Sequence, residues 1–366
     1  MIPKGVTGVP THQITVLFTS GREPSYVRNA LALQALRQRF DVTQWTSAGA
    51  SYLRRLAALL PALALRRPHH DVAFAGFFGQ PLALWLRLFE SQPIVLDAFV
   101  SAYDTICFDR RQAGPSSPAG RLAYWLDRLA CAAARVVTVD TLAQADYLAT
   151  TFAVPKAKLR TVYLGYEPDI FRPAEPLPAR DGALQVFYYG SYLPLQGVDI
   201  IVRAARLLQR ERDIAFTLVG RGITYPSVRR LAADLGVQNV RFADWLPYER
   251  LPGAIAAADL CLGGHFASSP KARRVIAGKT FQFLAVGRPT IVGDCPANRE
   301  LFAPGEHAWF CPQGSPEDLA EAILALRDSP DARWHLSITG RTLVQRLFEP
   351  ERVADAWAAV IQQALS

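Results

Sequence analysis

Between Leu260 and Gly293 the chain contains no aspartate and no glutamate. The same stretch holds five cations, Lys271, Arg273, Arg274, Lys279 and Arg288. A second acid-free stretch runs from Val42 to His70. Cysteine is sparse: Cys107, Cys131, Cys261, Cys295 and Cys311 are widely spaced, and no C-x-x-C pair occurs. That argues against a disulfide framework and a cysteine-built zinc site, and for a reducing cytoplasm. Uninterrupted apolar runs all stay short of the roughly 18 residues that a membrane-spanning helix needs. The start, Met1 to Phe18, has too short an apolar run for a signal peptide. There is no G-x-G-x-x-G, so the dinucleotide fingerprint is absent. No D-x-D stands at a strand end, and no metal is expected. Nucleic-acid motifs are missing too, as is the interleaving of basic and aromatic residues that binds single strands.

What is present is a chain of 366 residues, half of them hydrophobic, with a formal charge of +8. That length suits a soluble protein of two domains. Short β-branched runs alternate with helical patterns. Ile14–Thr19, Asp41–Trp45, Asp71–Gly76, Pro93–Asp97 and Arg135–Asp140 read as strands of one parallel sheet, closed by Leu159–Leu164. Leu184–Gly190, Ala215–Gly222, Val240–Asp244, Leu260–Gly264 and Thr290–Val292 read as strands of a second. Gly165 to Gly182, rich in proline, reads as the linker. The expected fold is therefore α/β with two doubly wound parallel sheets. The expected domains are 1–170 and 183–349, with a last helix over 350–366 that packs back on the first.

In such sheets ligands bind beyond the carboxyl ends of the strands. At those ends stand Gly21, the loop from Asp97 to Asp104, Gly190-Ser191, Arg221 and Trp245. The Leu260–Asp294 stretch reads as strand, basic loop, helix and strand. Lys279 falls at the start of that helix, where the macrodipole is already positive. Cations gathered at a helix N-terminus repel one another unless an anion sits among them, and the free N–H groups suit a phosphate or diphosphate. A solvated basic loop is the competing reading. Trp245 is either a cover for a bound base or a core aromatic. Residues 51–70 form an amphipathic run with Arg54, Arg55, Arg66 and Arg67 around a leucine face, interrupted or kinked at Pro61. It suits either an anionic membrane surface or an ordinary outer helix.

Several of these segments carry a resemblance. Gln282, Phe283, Leu284, Ala285, Val286, Gly287, Arg288 and Pro289 resemble the donor-binding helix of retaining GT-B glycosyltransferases of family 4. That family's Glu-x7-Glu acids are replaced here by Arg274 and Gln282. Gly165, Glu167, Phe171 and Pro173 resemble its linker. Gly190 and Gly197 match its first glycine turn, where Ser191 and Gln196 stand in place of the usual Arg and Lys.

The resemblance implies a GT-B fold whose two Rossmann-like domains face a cleft, the acceptor in the first and the nucleotide sugar in the second. It implies a glycosyltransferase that moves a sugar from a UDP- or GDP-linked donor to a glycan or lipid-linked acceptor, with retention and without a metal, near a membrane. The donor-binding candidates are Gly21, Gly190, Ser191, Gln196, Gly197, Arg221, Trp245, Lys271, Arg274, Thr280 and Gln282. Catalytic candidates are Asp104, as a proton acceptor, and Lys279. Gln282 is expected to meet the ribose through its amide, and Gln282→Glu to be tolerated. A non-catalytic GT-B subunit and a nucleotide-sugar 2-epimerase remain open as alternatives.

Overall fold

The structure is a computed structural model that describes residues 13–47, 49, 51–66, 68–174 and 182–366. The chain start at 1–12, Arg67 and the linker segment 175–181 lie outside the described residues.

Among the described residues twelve strands form two six-stranded parallel sheets. The first has the order β2-β1-β3-β4-β5-β6, with β1 Thr15–Ser20, β2 Asp41–Trp45, β3 Val72–Gly76, β4 Ile94–Asp97, β5 Val136–Val139 and β6 Leu159–Thr161. The second has the order β12-β11-β10-β7-β8-β9, with β7 Leu184–Tyr189, β8 Ile214–Val219, β9 Val240–Ala243, β10 Leu260–Gly264, β11 Thr290–Asp294 and β12 Trp309–Pro312. Both orders reverse direction at an inner strand, the doubly wound pattern that follows from right-handed crossovers. Strands β3, β4, β5 and β10 are buried at every residue, which is why they read as unbroken apolar runs rather than alternations.

By contacts the described chain forms two compact units. One holds the residues up to Phe99, Leu129–Thr138 and Ala354–Ser366; the other holds Val100–Arg128 and Val139–Val353. In the first unit Arg28, 2% exposed, makes a two-pronged ion pair with Asp97 at 2.8 and 2.9 Å. Thr138 donates to the same carboxylate at 2.8 Å. Trp357 of the last helix, Pro350–Leu365, lies edge-on to Phe74 and under the Arg28 guanidinium. Asp97, at the end of β4, is therefore a structural counter-ion and not a free carboxylate.

The second unit is built around the helix Gly278–Val286. Every residue from Lys279 to Val286 is buried. A helix buried on every face is surrounded by protein, and Phe281, Phe283, Leu284 and Val286 each contribute about 1.5–3 kcal/mol by leaving water. Gly287 ends it in the left-handed conformation, φ 81°, and Pro289 follows, an arrangement that stops a helix sharply.

Pro61 does not interrupt the amphipathic helix of the first unit, which runs unbroken over Tyr52–Arg66. Arg54 and Arg66 are exposed. Arg55 is not: it is 6% exposed, ion-paired to Glu23 at 3.0 Å, and it donates to the Gly21 and Gly49 carbonyls.

Candidate functional site

The site grows from the carboxyl end of β7. After Tyr189 the chain turns through Gly190 and Ser191, and Gly197 opens the helix Val198–Leu207 at φ 65°. A side chain at Gly197 would collide with the backbone of Ala267 at 2.4 Å, so glycine is required by close approach as well as by φ. Tyr188 donates its hydroxyl to Gln196 Oε1 at 2.6 Å. A Cβ at Gly190 would lie 2.6 Å from Tyr188 Oη, 2.9 Å from Gln196 Oε1 and 3.1 Å from Lys279 Nζ. Three polar groups thus converge over one α-carbon that carries no side chain.

Lys279 sits at the second residue of the buried helix, 7% exposed. Its ammonium has no hydrogen-bond partner and stands 4.2 Å from the Tyr188 ring. Burial without a counter-charge penalises the charged form and lowers its pKa from 10.5 to about 7. Nearby His265, also buried, falls to about 3, through burial first and then through Lys279 and Lys271. Its Nδ1 has no partner either. Thr280, fully buried, follows Lys279, and its Oγ1 would crowd any side chain placed at Gly263.

Lys271 and Arg274 of the loop are not free. Arg274 meets Asp104 at 2.7 Å and lies over the Tyr147 ring at 3.9 Å, and its carbonyl accepts from Thr141. Lys271 donates to Thr105 Oγ1 at 2.9 Å and pairs with Asp109 at 3.5 Å and Asp104 at 3.9 Å. The two acids come from one wide turn, in which the Arg110 N–H reaches back five residues to the Thr105 carbonyl. That i→i+5 geometry puts positions five apart on the same side. The charge imbalance seen locally in the sequence is thereby met from about 165 residues upstream. Asp104 is 2% exposed and held by Arg274, so its first role is that of a counter-ion.

Gln282, 4% exposed, donates through Nε2 to Tyr248 Oη at 2.9 Å. Tyr248 in turn donates to Glu167 Oε2 at 2.7 Å. Burial raises the Glu167 pKa, and the Tyr248, backbone and Gln282 hydrogen bonds oppose the rise. Gln282 Oε1 is buried without a partner.

The remaining candidates are more dispersed. Arg221 is spread over the surface, paired to Asp244 at 2.7 Å. Trp245 is 54% exposed and is not a core aromatic. Ser191 turns its carbonyl against Gly222, where a Cβ would lie 1.6 Å away. Gly21 belongs to the first unit. Its N–H donates to the Phe77 carbonyl at 3.1 Å and a side chain there would strike the Phe78 carbonyl, which accounts for the glycine by backbone packing. Sequence reasoning missed Tyr188, Tyr248 and His265 as site residues and read Glu167 only as linker. A tyrosine inside a buried strand carries no local signal of an inward hydroxyl.

A cavity of about 850 Å³ opens beside Lys271, lined among others by Asp109, Arg110, Arg111, Pro194, Ser268 and Ser269. Among the described residues no three His, Cys, Asp or Glu stand together as a metal group.

The two doubly wound parallel sheets define a protein of the GT-B fold. Within it, residues 183–329 match the family model described as Glycosyl transferases group 1. D-inositol 3-phosphate glycosyltransferase of Kribbella flavida is 25% identical over 55% of this chain and 50% of its own length. Alpha-D-kanosaminyltransferase of Streptomyces kanamyceticus is 22% identical over 72% of this chain and 68% of its own. Among solved structures, Anabaena HepE in complex with UDP-glucose superposes with a TM-score of 0.71 at 15% identity, covering 96% of this chain and 100% of that one. The chain spans about half the length of the first curated relatives it matches.

Proposed function

We propose that the protein moves a sugar from a UDP- or GDP-linked donor to an acceptor hydroxyl, with retention, in the synthesis of a bacterial surface glycan or glycolipid. The observation that carries this reading is the unpartnered Lys279 ammonium, buried at a helix start beside Gly190 and Gln196. A buried charge without a partner is costly, and an anion relieves the cost. A diphosphate suits the combination of ammonium and helix N–H groups. The names of the relatives, and the UDP-glucose in HepE, are consistent with a nucleotide sugar.

In this reading residues 183–349 hold the donor and residues 1–170 the acceptor. As the bond from the anomeric carbon to the diphosphate breaks, the acceptor oxygen forms the new bond and its proton passes to the leaving diphosphate oxygen. Lys279 stabilises the negative charge that grows there. Lys271 and Arg274, already paired, hold the basic loop in shape, and Asp104 positions Arg274. We place the acceptor in the cavity beside Lys271. We also place the protein at an anionic membrane surface, since Leu53 and Leu65 are 75% and 83% exposed on the same helix as Arg54 and Arg66.

Thermal stabilisation by UDP and GDP, followed by release of nucleoside diphosphate from UDP- and GDP-sugars with and without acceptors, tests the reading. Acceptor-dependent release supports it. Binding without turnover points instead to a non-catalytic subunit, and interconversion of the nucleotide sugar alone to an epimerase.

A further inference from the structure

The wide turn that carries Asp109 ends on two arginines. The Arg110 and Gln112 N–H groups reach back to the Thr105 and Ile106 carbonyls, at 2.9 and 2.8 Å. Arg111 stands between them in the left-handed conformation, φ 50°. Glycine is the usual residue at such a position after a helical turn, because a side chain there is strained. Glycine would make the same turn, so the backbone does not call for an arginine. Arg110 and Arg111 are both exposed, and among the described residues neither guanidinium has an ion pair or a hydrogen-bond partner. Both line the cavity of about 850 Å³, together with Pro194, Ser268 and Ser269. Among the lining residues Asp109 is the one acid, and it is 6% exposed and paired to Lys271 at 3.5 Å. The charge left free at this cavity is therefore positive.

We infer that this cavity recognises an anionic group, a phosphate or a carboxylate carried by a sugar, through Arg110 and Arg111. The inference rests on the reading above that places the acceptor here, and it names the acceptor's class: one that bears a negative charge. A concave site with uncompensated charge of one sign concentrates ligands of the other. A guanidinium meets a phosphate or a carboxylate with two parallel hydrogen bonds, which fixes orientation as well as adding energy. Lys271 takes no part in the selection, because its ammonium is already held by Thr105, Asp109 and Asp104.

The test uses glucose, glucose 6-phosphate and glucuronate as probes, with dissociation constants for wild type, Arg110→Gln/Arg111→Gln, Arg111→Gly and Lys279→Ala. Wild type is expected to bind a charged sugar roughly tenfold more tightly than glucose, the worth of one charge-assisted hydrogen bond. The larger gain, for glucose 6-phosphate or for glucuronate, tells a phosphate from a carboxylate. Arg110→Gln/Arg111→Gln is expected to bring the charged sugars down to the level of glucose at an unchanged melting temperature. Arg111→Gly keeps the turn and is expected to lose part of the preference. Lys279→Ala is expected to keep all of it. Wild type that binds none of the three, or binds them equally, overturns the inference. So does a preference that survives the loss of both arginines. A preference that Lys279→Ala removes overturns it too, since the anion then sits at the buried lysine. The donor reading fails separately: a protein that selects charged sugars through the two arginines but binds neither UDP nor GDP keeps this site and loses the transferase.

Discussion

Lys279 Nζ stands 4.2 Å from the Tyr188 ring while the Tyr188 hydroxyl is committed to Gln196 at 2.6 Å. The ring face offers the ammonium an attractive quadrupole but no hydrogen-bond acceptor. All three lie around Gly190, where a family relative would present the usual Arg and Lys of this turn. The cation there, Lys279, comes from the neighbouring helix Gly278–Val286.

The first prediction concerns protons. With a pKa near 7, Lys279 is largely neutral at pH 8 in the free protein. A bound diphosphate favours the charged form. Binding at pH 8 should take up close to one proton, measured as buffer-dependent binding enthalpy, and uptake should shrink at pH 6. Lys279→Met should remove it.

The same pKa sets a stability trend. The folded value lies below the unfolded one, so the unfolded chain binds more protons between about pH 7 and 10.5. Stability of the ligand-free protein should therefore gain from this residue as pH rises through that window, the penalty being full below pH 7. Lys279→Met should raise the melting temperature at pH 6.5 and raise it less at pH 9. An unchanged difference across that range would show that the lysine is not buried in its charged form.

Removing the other cations should act in the opposite sense. Arg274→Ala leaves Asp104, which is 2% exposed, with only the longer 3.9 Å pairing to Lys271. Fully stranding a buried charge costs about 3–5 kcal/mol, and the remaining lysine offsets part of that. Chemical denaturation of Arg274→Ala should show a loss of that order, largely recovered in Arg274→Ala/Asp104→Asn. The sequence alone suggests an unpaired loop cation and almost no stability change.

That contrast marks how far the sequence reaches. Strand positions were legible because buried parallel strands are short apolar runs, and Gly287-Arg288-Pro289 announced the end of the central helix. Lys279 at a helix start was legible from dipole logic. The Asp104 and Asp109 partners of Lys271 and Arg274 were not, because ion pairing over such separations leaves no local pattern. The Glu167–Tyr248–Gln282 chain was hidden for the same reason, and Arg55 looked like a surface cation until its partner Glu23 was placed.

Membrane docking should rest on the exposed part of the Tyr52–Arg66 helix. Each cation near anionic lipid is worth about 1 kcal/mol. Arg54→Gln/Arg66→Gln with Leu53→Ser/Leu65→Ser should abolish co-sedimentation with phosphatidylserine vesicles at low salt, with an unchanged melting temperature. Arg55→Gln should destabilise the fold through loss of its buried pairing. Wild-type protein that ignores such vesicles would contradict the proposal.

The most direct measurement is the affinity of Lys279→Ala for UDP and GDP beside that for uridine and guanosine. If Lys279 holds the diphosphate, the nucleoside diphosphate loses roughly 10- to 150-fold, the worth of a charge-assisted hydrogen bond, and the nucleoside loses almost nothing. If the variant binds nucleoside diphosphate as tightly as wild type does, Lys279 is not the diphosphate anchor and the account fails at its centre.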